Sequence, residues 1–288
     1  MRVLILGAGG MLGHKVWQIF RDRFDCRAAV RTRLPLPLFD DEHVIHGFDA
    51  ADFEGVRRLI GTVRPDVIIN CVGVVKQLAA AHDPVASITL NALFPHIVAR
   101  AGAEAGARMI HISTDCVFAG TRGHYAESDF PDATDLYGRS KLLGEVVESE
   151  LTIRTSIIGR ELRTSNGLVE WFLANRGGSV RGFTRAVFSG VTTATLAHTL
   201  AAVIEQHPSL QGLYHVAGAP ITKYDLLVML NEALGAGVAI TPDDRFVIDR
   251  SLDATRFRSA TGLVAPGWQE MIAALAAESP QYERWRTE

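Results

Sequence analysis

Apolar residues follow two rhythms through the first half of the chain. Short runs at Arg2–Leu6, Cys26–Val30, Asp66–Asn70, Arg108–Ile112 and Leu151–Arg154 read as strands, and helical patterns lie between them near Leu12–Arg23, Asp52–Val63, Asp83–Gly106 and Asp135–Glu150. Strands alternating with helices predict a doubly wound α/β fold, a parallel sheet covered on both faces. Pro95 sits inside the third helical stretch and predicts a kink or division there. The segment Ala119–Thr134, rich in Gly, Asp and Pro, exceeds a simple connector, and long loops after such strands commonly face a ligand.

Beyond Arg154 the alternation weakens and glycines at 177, 178, 182 and 190 punctuate the chain. Thr192–Gln206 reads as a helix, Gly212–Val216 as a sixth strand, and Thr222–Leu234 and Gly267–Ala277 as helices. The expected division is a first domain of residues 1–156 plus 191–216, and a smaller C-terminal substrate-binding lobe of 157–190 plus 217–288.

Composition removes several function classes. With 48% hydrophobic and 21% charged residues among 288, the chain has material for a full core, so disorder is not expected. A formal charge of −3 gives no general attraction to nucleic acid. Cys26, Cys71 and Cys116 are scattered, without the spacing of a disulfide framework or zinc site, so no metal is expected. No apolar run reaches the ~20 residues of a membrane span, and the N-terminus lacks the form of a signal peptide. The expected compartment is a reducing cytoplasm.

The first strand runs into Gly7-Ala8-Gly9-Gly10-Met11-Leu12-Gly13, which opens the first helix. Glycine there permits a tight turn and lets backbone amides approach a pyrophosphate, to which the helix N-terminus adds positive dipole. Strand before and helix after is the context this motif requires. The second strand is followed by Arg31-Thr32-Arg33, with no acid before Asp40. Arginine there suits a ribose 2′-phosphate, so NADPH is favoured and NADH stays open, while a solvated turn is the plainer alternative. Asp49 is placed to meet the adenine edge or to cap the following helix.

Thr114 falls at the carboxyl end of the strand begun at Arg108, and Tyr137 and Lys141 lie four apart on one predicted helix face. A free tyrosine has a pKa of about 10, and a neighbouring ammonium would lower it toward the working range of an acid–base catalyst. In a reduction Tyr137 would protonate a carbonyl oxygen, Thr114 would hold that oxygen, and Lys141 would tune the phenol.

Together these residues resemble the extended short-chain dehydrogenases, and within them the dTDP-4-dehydrorhamnose reductase family. The resemblance includes Gly7–Gly13, Pro65–Asn70, Ser113-Thr114-Asp115, Tyr137–Lys141 with Gly144-Glu145, and Arg154-Thr155-Ser156, with weaker markers at Gly212–His215 and Pro266-Gly267-Trp268. It implies a Rossmann-type NAD(P)-binding domain, a sugar-nucleotide lobe, and reduction of a nucleotide-linked 4-keto-6-deoxy sugar. Thr114, Tyr137 and Lys141 become the catalytic set; Asn70, Cys71 and Gly73 line the cofactor, with Asn91 and Thr155 as further contacts. The sequence departs at Ile157, where the family usually has an aromatic residue, and at Val74-Val75-Lys76-Gln77. Cys116 stands where the related 4,6-dehydratases carry an acid or lysine, which favours reduction without elimination.

Lys76 and Arg160 are candidates for the sugar or its diphosphate, and Trp171 for a base. For each the plainer alternative is a solvated side chain or an apolar helix face. His111 reads as a core histidine with no assigned role. An epimerase with tightly held NAD and a non-catalytic dinucleotide-binding subunit remain as competing functions, and a homodimer stays open.

Overall fold

The computed structural model describes residues 1–40, 42–74 and 83–287. Six strands, β1 (Arg2–Leu6), β2 (Asp25–Val30), β3 (Val44–His46), β4 (Val67–Asn70), β5 (Arg108–Thr114) and β6 (Leu151–Thr155), join the strand Gly212–His215 in one seven-stranded sheet. The spatial order is Gly212–His215, β6, β5, β4, β1, β2, β3, and every pairing is parallel. This is the Rossmann-type doubly wound sheet. Its order reverses between β1 and β4, opening a crevice at their carboxyl ends.

The alternation of side chains along β1 shows why its apolar run is continuous. Val3 and Ile5 enter the core on one face of the sheet, while Leu4 and Leu6 enter a second core on the other. Both faces are buried, so no polar position is left to mark a period of two.

Helix α1 (Met11–Phe20) and the helix Thr193–Gln206 cover the first face; α2 (Phe53–Val63) and the helix Phe94–Ala105 cover the second. Asp52 caps α2 by accepting the Gly55 amide at 2.9 Å. The stretch expected as one helix over Asp83–Gly106 is divided: Pro84–Ser87 leads into a π-helical segment, Ile88–Leu93, before Pro95 in the first turn of the next helix. The helix expected over Asp135–Glu150 is shorter, Leu136–Leu143. Downstream, the amide and carbonyl of Val146 both bond the Thr152 hydroxyl, at 3.2 and 2.8 Å, and are unavailable to a helix.

After β6, small sheets take over. Ile157–Ile158 pairs with Val191–Thr192, Ala186–Phe188 with Ile221–Thr222 and Ile248–Asp249, and Ser179–Phe183 with Ala239–Asp243. The last helix, Trp268–Thr287, returns to α1. There His14, fully buried, bonds the Gly10 carbonyl through Nδ1 at 2.8 Å and meets the Tyr282 hydroxyl through Nε2 at 2.7 Å. Burial lowers the His14 pKa from 6.5 to about 3. The unfolded chain therefore binds an extra proton between those values, and stability falls as pH drops below about 6.5. Tyr282→Phe is expected to leave Nε2 without its donor and cost about 1–3 kcal/mol, read as a lower urea midpoint at neutral pH. An unchanged midpoint would show that the contact holds nothing.

Candidate active site

A cleft of about 880 Å³ opens along the carboxyl ends of the central strands and is closed on its far side by residues from the smaller sheets. At one end lies the glycine loop. Gly7 has φ +82°, and the Gly10 amide bonds the Gly7 carbonyl at 3.0 Å, which makes the turn. Gly10 leads α1 with no side-chain cap and no acid in the first turn, so the helix start keeps free amides for an anionic ligand. A Cβ on Gly13 would stand 2.1 Å from the Gly7 carbonyl oxygen. Gly13→Ala is expected to displace the loop at a cost of about 1–3 kcal/mol, with weaker dinucleotide binding by fluorescence titration; unchanged affinity would refute this use of the loop.

Deeper in the cleft Thr114, the last residue of β5, meets Tyr137 from the helix Leu136–Leu143. The Thr114 hydroxyl donates to Asp115 Oδ1 at 3.2 Å and accepts the Cys116 amide at 3.1 Å, in the same cleft as the phenol. The Lys141 ammonium lies one turn along the same helix, donates to the Ile112 carbonyl at 2.7 Å and meets His111 Nε2 at 3.3 Å. Thr114, Tyr137 and Lys141 all line the cleft.

The electrostatics differ from the sequence expectation. Burial first, then Cys116, raise the pKa of Tyr137, while the Thr114 side chain pulls it down. The downward effect expected from Lys141 is not among these influences, and the Lys141 ammonium is held against the Ile112 carbonyl. Burial lowers Lys141 to about 8, against the opposing pull of Glu145 and Cys71. A phenol with a raised pKa stays loaded with its proton at neutral pH, which suits donation to a developing alkoxide.

His111 joins this set without any signal from the sequence. Asn70 Oδ1 accepts the Val72 amide at 3.0 Å, leaving its Nδ2 to donate to His111 Nδ1 at 3.0 Å. That network assigns the ring proton to Nε2, on the side that faces Lys141. Burial, then Lys141, hold the His111 pKa well below the usual range.

Residues 1–279 match the family model described as the RmlD substrate binding domain. The chain belongs to that family. It is 28% identical to dTDP-4-dehydrorhamnose reductase of Escherichia coli K12, across 93% of this chain and 95% of that protein. It is 29% identical to methionine adenosyltransferase 2 subunit beta of Rattus norvegicus, across 81% and 72% respectively. Among solved structures, dTDP-4-dehydrorhamnose reductase of Bacillus anthracis, in complex with NADP, superimposes with a TM-score of 0.82 at 24% identity, across 96% of this chain and 99% of that one.

Within this RmlD-family cleft, Gly10, Met11, Leu12, Cys71, Gly73, Thr114, Tyr137, Lys141, Thr155 and Trp171 all reach the surface. Gly7, Gly9 and Gly13 shape the loop behind it. Asn91 acts from behind as well: its Oδ1 accepts the Val74 amide at 2.8 Å, and its Nδ2 donates to the Val74 carbonyl at 3.1 Å and to Ser140 at 3.2 Å. It thus ties the loop after β4 to the helix carrying Tyr137. Arg31 is exposed at the end of β2. Asp49 is exposed, bonds the Ala51 amide at 2.9 Å and does not cap α2, a task taken by Asp52. Trp171 is 40% exposed on the cleft while its neighbours Val169 and Phe172 carry the buried helix face.

Arg160 is a correction. It is only 1% exposed, bonded to Glu170 at 2.5 Å and Glu283 at 3.0 Å, with its guanidinium 5.3 Å from the Tyr282 ring centroid. Held there, it cannot reach a sugar in the cleft. Lys76 lies outside the described residues. Cys116 lines the cleft, and burial pushes its thiol up to about 12, so it stays protonated at neutral pH. Asp115, quoted in a motif, lines the cleft, and so do Lys223, Arg250, Phe183 and Phe246, which the sequence pattern did not single out. Glu145 and Arg154, both quoted in the motifs, form a buried paired bond at 2.7 Å that braces β6 behind the site.

Proposed function

We propose that this chain is an NAD(P)H-dependent reductase that converts the keto group of a nucleotide-linked 4-keto-6-deoxy sugar to an alcohol. The observation that carries this reading is one cleft lined by the Thr114 hydroxyl, the Tyr137 phenol, Lys141 and the glycine loop. The kinship with dTDP-4-dehydrorhamnose reductases supports the substrate class. NADPH is the preferred cofactor: the uncapped start of α1 fits a pyrophosphate and Arg31 fits a 2′-phosphate. When bound, the reduced nicotinamide supplies a hydride to the carbonyl carbon.

The protein's own residues do the rest. Thr114 and Tyr137 orient the carbonyl oxygen, and Tyr137 Oη gives its proton to that oxygen as negative charge develops. Lys141 holds its nitrogen beside the phenol-bearing helix, where it stabilises the phenolate left behind and passes on a proton to restore it. The residues 157–190 and 217–288 form the sugar-nucleotide part of the cleft and 1–156 plus 191–216 the cofactor part. Three free thiols suit a reducing cytoplasm.

The similarity to a methionine adenosyltransferase subunit favours, as a second reading, a binding protein without chemistry. The proton-loaded phenol weighs against it, since a binder has no use for one. The test is to incubate purified protein and NADPH with a panel of nucleoside-diphosphate 4-keto-6-deoxy sugars and follow loss of reduced-nicotinamide absorbance. Inertness toward the whole panel removes the substrate class; binding of neither NADPH nor NADH removes the enzyme reading. Turnover without net cofactor consumption identifies an epimerase.

A further inference from the structure

Hydride and proton transfer leave part of the cleft without a task. Besides Lys141, the described lysines and arginines lining it are Arg181, Lys223 and Arg250. Arg181 is ion-paired with Asp243 at 3.7 Å and is 67% exposed. The other two are held differently.

Lys223 begins the helix Lys223–Leu234, and its ammonium sits 3.5 Å from the centroid of the Phe188 ring. Among the described residues no oxygen accepts a hydrogen bond from it. Burial lowers its pKa to about 8, while Asp115 and Cys116 act in the other direction, which places it opposite the two residues that follow Thr114. Arg250 uses Nε on the Phe118 carbonyl at 2.8 Å, and its two terminal nitrogens have no acceptor among the described residues. It faces the same carboxylate: Asp115 is raised by burial and lowered by Arg250, then Lys223.

Two cations thus stand on the cleft wall with Asp115, and neither makes an ion pair within 4.0 Å among the described residues. An ammonium with three donors and the two terminal nitrogens of a guanidinium stand half-buried in the cleft wall with no protein acceptor among the described residues, so a ligand that brings acceptors can engage both. A diphosphate brings several oxygens and negative charge. At the rim, Phe183 and Phe246 pack with ring centroids 5.2 Å apart, and Phe246 is 49% exposed. An exposed aromatic pair on a cleft wall suits a planar base.

We propose that Lys223 and Arg250 form the diphosphate subsite of this cleft, with the Phe183–Phe246 pair taking the nucleoside base beyond it. The assignment rests on the nucleotide-linked substrate proposed above. It orients that substrate with its sugar toward Tyr137 and its base toward the rim, and it gives to these two residues the task that sequence assigned to Arg160.

The experiment is calorimetric titration of the NADPH-loaded protein with dTDP, UDP and GDP, and with thymidine and uridine as phosphate-free probes. At least one diphosphate is expected to bind, and Lys223→Gln and Arg250→Gln are each expected to weaken it about ten- to a hundredfold. Nucleoside binding should stay within about twofold in the same variants, since the phosphates alone are read by these side chains. NADPH affinity, measured on each sample, reports folding; if one variant loses it, the other decides. Unchanged diphosphate affinity in a folded Lys223→Gln or Arg250→Gln protein overturns the subsite and leaves the reductase reading intact. If no nucleoside diphosphate binds the unaltered protein, the nucleotide-linked substrate itself fails.

Discussion

Tyr137→Phe is expected to lower kcat by roughly 10²–10⁴-fold while leaving NADPH affinity close to that of the unaltered protein. The variant removes one oxygen and keeps the ring, so the cleft wall formed by Tyr137 is preserved. What disappears is the phenol proton that the proposed reaction draws on, in the cleft wall it shares with Thr114. A hydride arriving at a carbonyl carbon leaves charge on oxygen, and without a donor within reach that charge goes unneutralised in the transition state. Since the loss falls on a step made only in the transition state, kcat and kcat/KM should fall together. Thr114→Val should act in the same direction by removing the second hydroxyl offered to the carbonyl oxygen. Stopped-flow measurement with a reducible keto-sugar separates chemistry from release. Near-normal single-turnover rates in Tyr137→Phe would move the acid elsewhere and revive the non-catalytic reading of the family.

The groups that line the candidate site were legible because each is announced by local covalent spacing. A strand ending in Thr114, a four-residue interval between Tyr137 and Lys141, and glycines after β1 each have a geometric meaning that needs no tertiary information. The sheet was legible for a similar reason, since β1 and β4 are buried on both faces. The three-residue edge strand β3, Val44–His46, was missed: it is too short to show a period and gains its pairing only from β2. The helix bearing Tyr137 was drawn too long because nothing local reveals that Thr152, on a strand, will capture the backbone of Val146.

Charged residues were the least legible. Lys223 and Arg250 stand more than a hundred positions after Thr114 and meet Asp115 only through the packing of the smaller sheets. His111 looked like any core histidine; its contact with Lys141 arises because β5 and the helix Leu136–Leu143 lie side by side. Arg160 shows the reverse error. Its position soon after Arg154-Thr155-Ser156 suggested the ligand, whereas its partners Glu283 and Ser279 come from the last helix, over a hundred residues away.

That placement makes Arg160→Ala a stability variant, expected to cost about 3–5 kcal/mol. Glu170 is 4% exposed and receives Arg160, Arg286 and the Glu161 amide. Losing Arg160 leaves the carboxylate with one fewer counter-charge in a site that water reaches poorly, and it also removes a side chain packed on Tyr282. Replacing both partners, as Arg160→Met with Glu170→Met, should recover only part of the loss, because Arg286 and the Glu161 amide then lose the carboxylate they bind. Urea unfolding monitored by tryptophan fluorescence gives the midpoints, and KM for the keto-sugar is measured on the fraction that stays folded. A destabilised protein with normal KM is the expected outcome. A stable Arg160→Ala whose KM alone rises would place the guanidinium on the substrate, against the ion pairs with Glu170 and Glu283 that hold it inside the protein.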